Sequence, residues 1–465
     1  MDFIVVLAAL VFLMLAAYRG YSVILFAPLA AMGAVLLSHP AEVPPMFTGL
    51  FMDRMVGFVK NFFPIFVLGA VFGKVIEQSG FSKSIVASVI NFLGNRRAML
   101  SIVLVGALLT YGGVSLFVVV FSVYPFAAEL FRQGGIPKRL MPATIALGAF
   151  TFTMDSLPGT PQIQNIIPTT FFKTSVYAGP WLGTIGGVFI LVCGVVYLER
   201  RRLQALRFGE GYGEGHSNEP TGVGDAILVH PGIALIPLVV VGVMNRIFTN
   251  AIPAFYGESV SFLAGGVGDV APIVQQTKSV TAIWAIEGAL LMGIATVFAL
   301  AWKTLVPRFS EGSKTAIAGA LLATMNTASE YGFGAVVAAL PGFLLVTEVL
   351  KAVPNVLINE AVTVTALAGL TGSASAGLGI ALAAMAEHFC IAAKGAGIPL
   401  EVLHRIASMA SGGMDTLPHN GAVITLLAVT GLTHREAYRD IFVITCIKTA
   451  TVFLVIGLFY ATGIV

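Results

Sequence analysis

Two near-copies of one pentapeptide place ionisable and helix-breaking residues inside an apolar sequence. Residues 154–158 read Met-Asp-Ser-Leu-Pro, and residues 414–418 read Met-Asp-Thr-Leu-Pro. A carboxylate is costly in lipid and by default marks an ion or substrate pathway. Proline interrupts a helix because it lacks an N–H and clashes with a preceding carbonyl. The duplication therefore predicts a binding site where two membrane helices break.

The residues that follow each pentapeptide add further polar groups. Thr160 and Pro161 have the composition of an N-cap followed by proline at the first helical position, so a helix is predicted to restart at Gln162. The second break continues through residues 419–421, His-Asn-Gly. Free amides at a helix start attract an anion, and free carbonyls at a helix end attract a cation.

Two long apolar stretches, residues 98–131 and 356–394, have small and hydroxyl residues at their centres. The centres are residues 110–115, Thr-Tyr-Gly-Gly-Val-Ser, and residues 371–377, Thr-Gly-Ser-Ala-Ser-Ala-Gly. Such a cluster is either a helix-packing motif or the tip of a re-entrant hairpin. Basic residues flank the first stretch on both sides, which favours a hairpin with both ends in the cytoplasm. These residues are Arg96, Arg97, Arg132, Lys138 and Arg139.

Placing each hairpin tip beside a break gives two candidate clusters of polar residues. The residues expected to bind substrate are Thr110, Gly112, Gly113, Ser115, Ser156, Thr160, Thr371, Ser373, Ser375, Thr416, His419 and Asn420. The groups expected to carry coupling protons are Asp155, Asp415, His419 and Glu330. Two alternatives stay open: the aspartates could only cap helix ends, and His419 could donate a hydrogen bond instead of relaying a proton.

Neither tip nor break contains Arg or Lys, which favours a substrate with one carboxylate and hydroxyl groups over a tricarboxylate. Lys74, Lys173 or Arg405 could still extend into the site. For Arg405 and Lys448 a structural role is expected. The Glu-His pair at residues 387–388 is as compatible with a functional role as with an interfacial one.

The composition predicts an integral membrane protein. Of the 465 residues, 57% are hydrophobic and 11% charged, and the mean hydropathy is +0.92, whereas soluble domains carry about 25% charged residues. The net charge of +3 is too small to indicate nucleic acid binding. Cys193, Cys390 and Cys446 have no motif spacing, so neither a metal site nor a cofactor is expected. The apolar N-terminal stretch lacks a basic leading region and is predicted to be a retained helix.

The apolar stretches predict an all-α polytopic membrane protein with two inverted repeats, about ten transmembrane helices, two re-entrant hairpins and two broken helices. The first repeat is residues 1–198 and the second is residues 226–465, joined by a cytoplasmic linker at 199–225. The scaffold helices are predicted in residues 1–95 and 226–350, with spans at 56–77, 280–302 and 315–329. The hairpins are predicted at 98–131 and 356–394, and the broken helices at 140–170 and 398–428. The final helix of each repeat is predicted at 178–198 and 440–462.

Paired Gly/Ser/Thr tips, each followed by a broken helix, resemble the ion transporter superfamily. The run from Asn326 to Val337, Asn-Thr-Ala-Ser-Glu-Tyr-Gly-Phe-Gly-Ala-Val-Val, and the two Met-Asp-Ser/Thr-Leu-Pro breaks are similar to the gluconate permease (GntP) family, and closest to its β-hydroxybutyrate permease branch. The resemblance covers most of the chain. It implies proton-coupled uptake of a small hydroxy-carboxylate by a homodimer with an elevator mechanism. The Ser-Asn-Thr triplets of the sodium-coupled branch do not occur at these tips, which counts against sodium without excluding it.

The sequence thus predicts a secondary transporter of a bacterial inner membrane that imports a hydroxy-monocarboxylate such as 3-hydroxybutyrate or a gluconate-like acid. Its expected partners are a small organic anion, the lipid bilayer and a second copy of the chain. The alternatives are a citrate or dicarboxylate symporter, a cation/proton antiporter, a channel, and a membrane enzyme. An enzyme is disfavoured because no nucleophile beyond Thr416 accompanies Asp415 and His419.

Overall fold

The computed structural model describes residues 2–19, 21–93, 97–114, 116–216, 218–219, 229–262, 273–342, 353–418 and 420–465. Over these residues the chain is almost entirely helical. The helices of the first half are α1 Asp2–Tyr18, α2 Val23–Ser38, α3 Pro40–Gln78, α4 Phe81–Leu93, α5 Ala98–Tyr111, α6 Leu116–Gln133, α7 Met141–Ala149, α8 Phe152–Asp155, α9 Ile163–Phe172 and α10 Pro180–Arg207. Those of the second half are α11 Pro231–Tyr256, α12 Thr277–Ala339, α13 Val356–Thr371, α14 Ala374–Gly395, α15 Leu400–Ser411, α16 Gly421–Thr430 and α17 His434–Thr462.

Six of the described helices are long and apolar enough to cross a bilayer, which takes about 20 apolar residues. They are α3, α10, α11, α12, α14 and α17. The chain is therefore a multi-pass membrane protein. Its predicted total of ten crossings and the inverted relation of its halves stay predictions.

Residues with suitable capping chemistry set the starts of two long helices. α10 has Pro180 at its first position, after Gly179 in the left-handed region at φ 55°. Proline at this position loses no helical hydrogen bond. α17 begins with a capping box in which Thr433 and Glu436 each hydrogen-bond the other's backbone. These starts fix where α10 and α17 enter the bundle, in which they pack along each other.

α12 is one continuous assignment of 63 residues that bends sharply at Ala301. Ala301 has non-helical angles, φ −130° and ψ 27°. The rings of Phe298 and Phe309 on either side of it lie 4.9 Å apart, whereas a straight helix would separate these positions by about 16 Å. The bend divides α12 into a first arm, 277–300, and a second arm, 302–339, in agreement with two predicted spans.

α3 is longer than the span predicted at 56–77. It has 39 residues, about 58 Å, and includes a π-helical segment at Met46–Phe51. It packs along both arms of α12. The Phe72 ring lies against Gly293 of the first arm, and the end of the π-helical segment lies against Gly332 of the second. α3, α11 and α12 together form a tightly packed group.

The two stretches predicted as re-entrant hairpins are helix–turn–helix pairs, and their re-entry from one side of the membrane stays a prediction. α5 and α6 are joined by residues 112–115, of which Ser115 lies outside the described residues. α13 and α14 are joined at Gly372, which has φ 65°, and Ser373, whose hydroxyl accepts a hydrogen bond from the Ala376 amide. The turn at Gly372 needs a residue that tolerates positive φ, which glycine does at no steric cost.

The expectation of an all-α chain is wrong at one place. β1 Ser259–Phe262 and β2 Ile273–Gln276 form a two-stranded antiparallel sheet, in which Ser259 pairs with Gln276. The residues alternate polar and apolar in β1, which is typical of a strand. This pattern was overlooked because the segment lies between long apolar helices.

The predicted linker, residues 199–225, packs against the first half in its described part. Its first residues complete α10, and two of its glutamates then hold three basic residues. Glu210 accepts hydrogen bonds from Arg139 at 2.7 and 2.8 Å, and Glu219 pairs with Lys138 at 2.7 Å and Arg132 at 2.5 Å. We call this group of five residues the linker clasp. It ties the linker to the end of α6 and to the turn before α7.

The linker clasp is expected to weaken in acid. The hydrogen bond from Arg139 lowers the pKa of Glu210 below its usual 4.5, against the opposing effect of burial. Burial would raise the pKa of Glu219, but hydrogen bonds from Lys138, Tyr212 and Arg132 outweigh it and lower this pKa too. A lowered folded-state pKa stabilises the protein above the usual value, and this stabilisation is lost as pH falls through the folded-state value.

Thermal unfolding of detergent-purified protein, followed from about pH 7 to about pH 3, checks this expectation. The double variant Glu210→Gln/Glu219→Gln is expected to unfold at a lower temperature than the wild type at neutral pH. The difference should shrink as the pH falls below the usual glutamate pKa. A difference that stays constant over this range would contradict the role of the clasp.

Candidate functional site

The first broken helix is α7–α8–α9, with residues 156–162 outside regular helix. Side chains satisfy the carbonyls that the break frees. The Thr153 hydroxyl donates to the Gly148 carbonyl at 2.9 Å, and the Thr160 hydroxyl donates to the Thr153 carbonyl at 2.7 Å. Asn165 donates to the Thr160 carbonyl at 3.0 Å. Unwound backbone inside a membrane protein needs such partners.

One detail of this break differs from the prediction. The residue at the N-cap of α9 is Gln162, in extended conformation, and not Thr160. Thr160 is occupied by its hydrogen bond across the break. Gln162 instead extends its side chain amide to the Thr110 carbonyl at 2.7 Å, so it connects the break to the first hairpin tip.

The second broken helix is α15–α16, with residues 412–420 between them. Asn420 is the N-cap of α16, and its side chain oxygen accepts from the Val423 amide at 2.8 Å. Its side chain amide donates to the Gly372 carbonyl at 2.7 Å. The Thr416 hydroxyl hydrogen-bonds the Thr445 hydroxyl of α17.

Each helix–turn–helix tip therefore lies beside one break. At the first, the Tyr111 hydroxyl donates to the Pro158 carbonyl at 2.8 Å, alongside the Gln162 contact. The Thr110 hydroxyl is buried and has no hydrogen-bond partner among the described residues. At the second, the hydrogen bond from Asn420 to the Gly372 carbonyl connects the tip to the break. An amide side chain at a helix start thus binds a tip carbonyl in both cases.

The two breaks meet at Lys448 of α17. Its ammonium donates to Asp415 Oδ1 at 2.9 Å and to the Phe150 carbonyl, next to the end of α7, at 2.9 Å. Lys448 is 2% exposed. One buried cation thus holds a carboxylate of the second break and a freed carbonyl of the first.

Asp155 lies next to the same cation. Its Oδ1 accepts a hydrogen bond from Ser156 Oγ at 2.6 Å. Its Oδ2 lies against the backbone of Gly412. A Cβ at residue 412 would collide with this oxygen and would lie 3.1 Å from Lys448 Cε, so the carboxylate and the lysine side chain both border this glycine. The two predicted aspartates are therefore parts of one site rather than of two separate clusters.

Arg405 of α15 supplies a second buried cation. It is fully buried and donates to the Ala178 carbonyl at 3.1 and 2.7 Å and to the Asp155 carbonyl at 3.2 Å. Ser408 Oγ donates to the same Asp155 carbonyl at 2.7 Å. Arg405 thus fixes the backbone at the first break.

The structure places the other predicted substrate-binding residues at the tips. Gly112 lies against Leu238 of α11, and Gly113 lies against Pro161 of the first break. The hydroxyls of the second tip bind their own turn, with Thr371 donating to the Leu367 carbonyl at 2.9 Å. Ser373 and Ser375 lie 3.4 Å apart, oxygen to oxygen.

Three predicted residues have a different outcome. Ser115 and His419 lie outside the described residues. Glu330 is buried on the second arm of α12. The next two residues contact α3: the Tyr331 ring lies against Phe58, and Gly332 lies against Phe51. No hydrogen bond among the described residues joins Glu330 to either aspartate, so its part in proton coupling stays a prediction.

The structural role expected for Arg405 agrees with its bonds to backbone carbonyls, whereas the joining of both breaks by Lys448 and the binding of the first tip by Gln162 were not predicted from the sequence. The available signal was that a charged residue inside an apolar helix is rare and usually faces a partner. The part of the chain that the structure describes contains no group of three His, Cys, Asp or Glu side chains placed to hold a metal ion. The site is a charge-balanced set of two carboxylates and two cations at a double helix break.

Comparison with known proteins gives a close relative and similar solved structures. The chain is 54% identical over 474 residues to the uncharacterized transporter YxjC of Bacillus subtilis (strain 168), and the alignment covers all of both chains. The YdaH transporter of Alcanivorax borkumensis has a TM-score of 0.55 at 13% identity, over 89% of this chain and 88% of that one. This likeness shows a shared fold.

No protein-family model matches the sequence, so the gluconate permease resemblance stays a prediction. The family assignment rests on YxjC, because its sequence identity to this chain is high over the full length of both chains. The chain belongs to the transporter family of YxjC.

Proposed function

We propose that the protein is a secondary transporter that imports a small hydroxy-monocarboxylate together with protons by alternating access. The observation that carries this proposal is the meeting of both helix breaks at Lys448, with Asp415 hydrogen-bonded to it and Asp155 adjacent. Discontinuous helices with ionisable groups between them are the usual substrate and ion sites of secondary transporters.

The polar groups fit a small acid with a hydroxyl group. Two cations face two carboxylates, so the site has no surplus positive charge with which to hold a dicarboxylate or tricarboxylate. The buried Thr110 hydroxyl, which has no partner among the described residues, offers a hydrogen bond to a substrate hydroxyl. Import from outside a bacterial inner membrane, an elevator movement of the hairpins and a homodimer belong to the same proposal.

Uptake by proteoliposomes tests this function. With an inward proton gradient, 3-hydroxybutyrate, lactate or gluconate is expected to accumulate, while citrate is not, and a protonophore should abolish accumulation. Asp155→Asn is expected to abolish accumulation while the protein stays folded, since the first break loses its carboxylate. Uptake indifferent to both gradient and protonophore would refute proton coupling, and citrate uptake would favour the tricarboxylate alternative.

A further inference from the structure

Lys448 has an unused capacity to bind a ligand. An ammonium group has three N–H donors, and the described residues accept two of them, at Asp415 and at the Phe150 carbonyl. The side chain is almost fully buried, on the helix that packs against both breaks. A third acceptor close to this point would complete its coordination.

Arg405 cannot take that role in the same way. It is bound to backbone carbonyls of residues 155 and 178, which no proton can neutralise. The partner of Lys448 is different, because a carboxylate loses its charge when it binds a proton. Lys448 is therefore the buried cation whose charge can be released.

The charges at this point determine what can be added to it. Asp415 is bound to Lys448, and Asp155 lies beside it. Arg405 of α15 binds the Asp155 carbonyl, and α13 contributes the uncharged Thr365 next to Gly413. With both carboxylates ionised these charges cancel. An added anion would be an uncompensated buried charge, which is strongly unfavourable. One proton on Asp415 restores the balance.

The exposures of Asp415 and Lys448 agree with protonation of Asp415 before the anion binds. The Asp415 side chain is 10% exposed and that of Lys448 is 2% exposed. Met414 and Leu417 beside it are only half-buried. Asp415 is thus the more accessible member of the pair, and we take it as the group that a proton reaches first.

Building on the proposed function, we infer that Lys448 binds the substrate carboxylate, that Asp415 holds Lys448 until it accepts a proton, and that one proton therefore crosses with each monocarboxylate. Transport is then electroneutral. A dicarboxylate is rejected because only one cation becomes available.

Electroneutrality is measured in proteoliposomes with 3-hydroxybutyrate, by imposing a pH gradient or a potassium diffusion potential separately. A tenfold proton gradient is expected to support about tenfold accumulation, and a potential of either sign should have no effect on uptake. Uptake driven or opposed by the potential would overturn the inference while leaving the proposed function intact. Absence of accumulation of any monocarboxylate under either gradient would refute the proposed function and the inference together.

Variants test the assignment of Lys448. Asp415→Asn leaves Lys448 without its carboxylate partner. Exchange of internal for external substrate is therefore expected to persist and to lose its pH dependence. Accumulation is expected to be lost. Asp415→Asn/Lys448→Met has no unpaired charge at this point and is expected to fold but not to exchange substrate. Lys303→Met, on an exposed part of α12, is the control and should behave as wild type. Exchange by the double variant at the wild-type rate would show that Lys448 is only a structural partner of Asp415.

Discussion

Arg405→Ala is expected to destabilise the protein more than any other single substitution in α15. The guanidinium is fully buried and donates to the carbonyl of Ala178, in the turn before α10, and to the carbonyl of Asp155, at the end of α8. Its removal takes away the donor of the Ala178 carbonyl, leaves the Asp155 carbonyl with Ser408 as its side-chain donor, and leaves two aspartates with one cation. Breaking a buried charged arrangement of this kind costs about 3–5 kcal/mol.

The measurement is the thermal unfolding midpoint of detergent-purified protein, with Arg207→Ala as the matched control. Arg207 lies exposed in the last turn of α10, and surface substitutions usually change stability by less than about 0.5 kcal/mol. Arg405→Lys keeps the charge but not the planar fork, so it is expected to recover only part of the loss. A midpoint for Arg405→Ala equal to that of the control would contradict the role assigned to this side chain.

Gly377→Ala is expected to force apart the two arms of the second hairpin. A Cβ at this position of α14 would overlap the backbone of Ala368 and lie 2.6 Å from the carbonyl carbon of Leu367 on α13. Backbone cannot move aside as a flexible side chain can, and overpacking of a tight contact costs about 1–3 kcal/mol. Because the arms carry the tip that binds Asn420, transport should fall together with stability.

Gly395→Ala, in the same helix, is the control. A Cβ there meets nothing within 4 Å, and alanine is favoured over glycine in a helix by about 1 kcal/mol. This variant is therefore expected to unfold at the same or a higher temperature than wild type and to transport normally. If Gly377→Ala behaved like Gly395→Ala, the close approach of the two arms would be refuted.

Local sequence signals mark the positions where the helices are interrupted and where the helix–turn–helix pairs turn. Proline removes a helical hydrogen bond, and the helices are interrupted near Pro158 and Pro418. Proline alone does not decide this, because Pro64 and Pro125 lie inside continuous helices. Glycine with small neighbours allows a tight turn, and the turn at Gly372 is where the sequence placed it. The pairing of each tip with a break followed from their order along the chain.

Features that depend on distant parts of the chain were missed or misjudged. Lys448 binds groups from both breaks, and no spacing in the sequence connects it to Phe150. The bend at Ala301 occurs without proline or glycine at that position, so packing against α3 and α11 must determine it. Thr160 has the composition of an N-cap, but a carbonyl across the break is a better partner for its hydroxyl, and Gln162 takes the cap position instead.

The position of the buried cations has a consequence for the order of synthesis. Arg405 and Lys448 bind carbonyls of Phe150, Asp155 and Ala178, which the ribosome makes long before either cation. Chains fold from the N-terminal end as they are made, and freed carbonyls in a membrane must find donors. The first half therefore enters the bilayer without donors for these carbonyls, and the two breaks are complete only after α15 and α17 have been made.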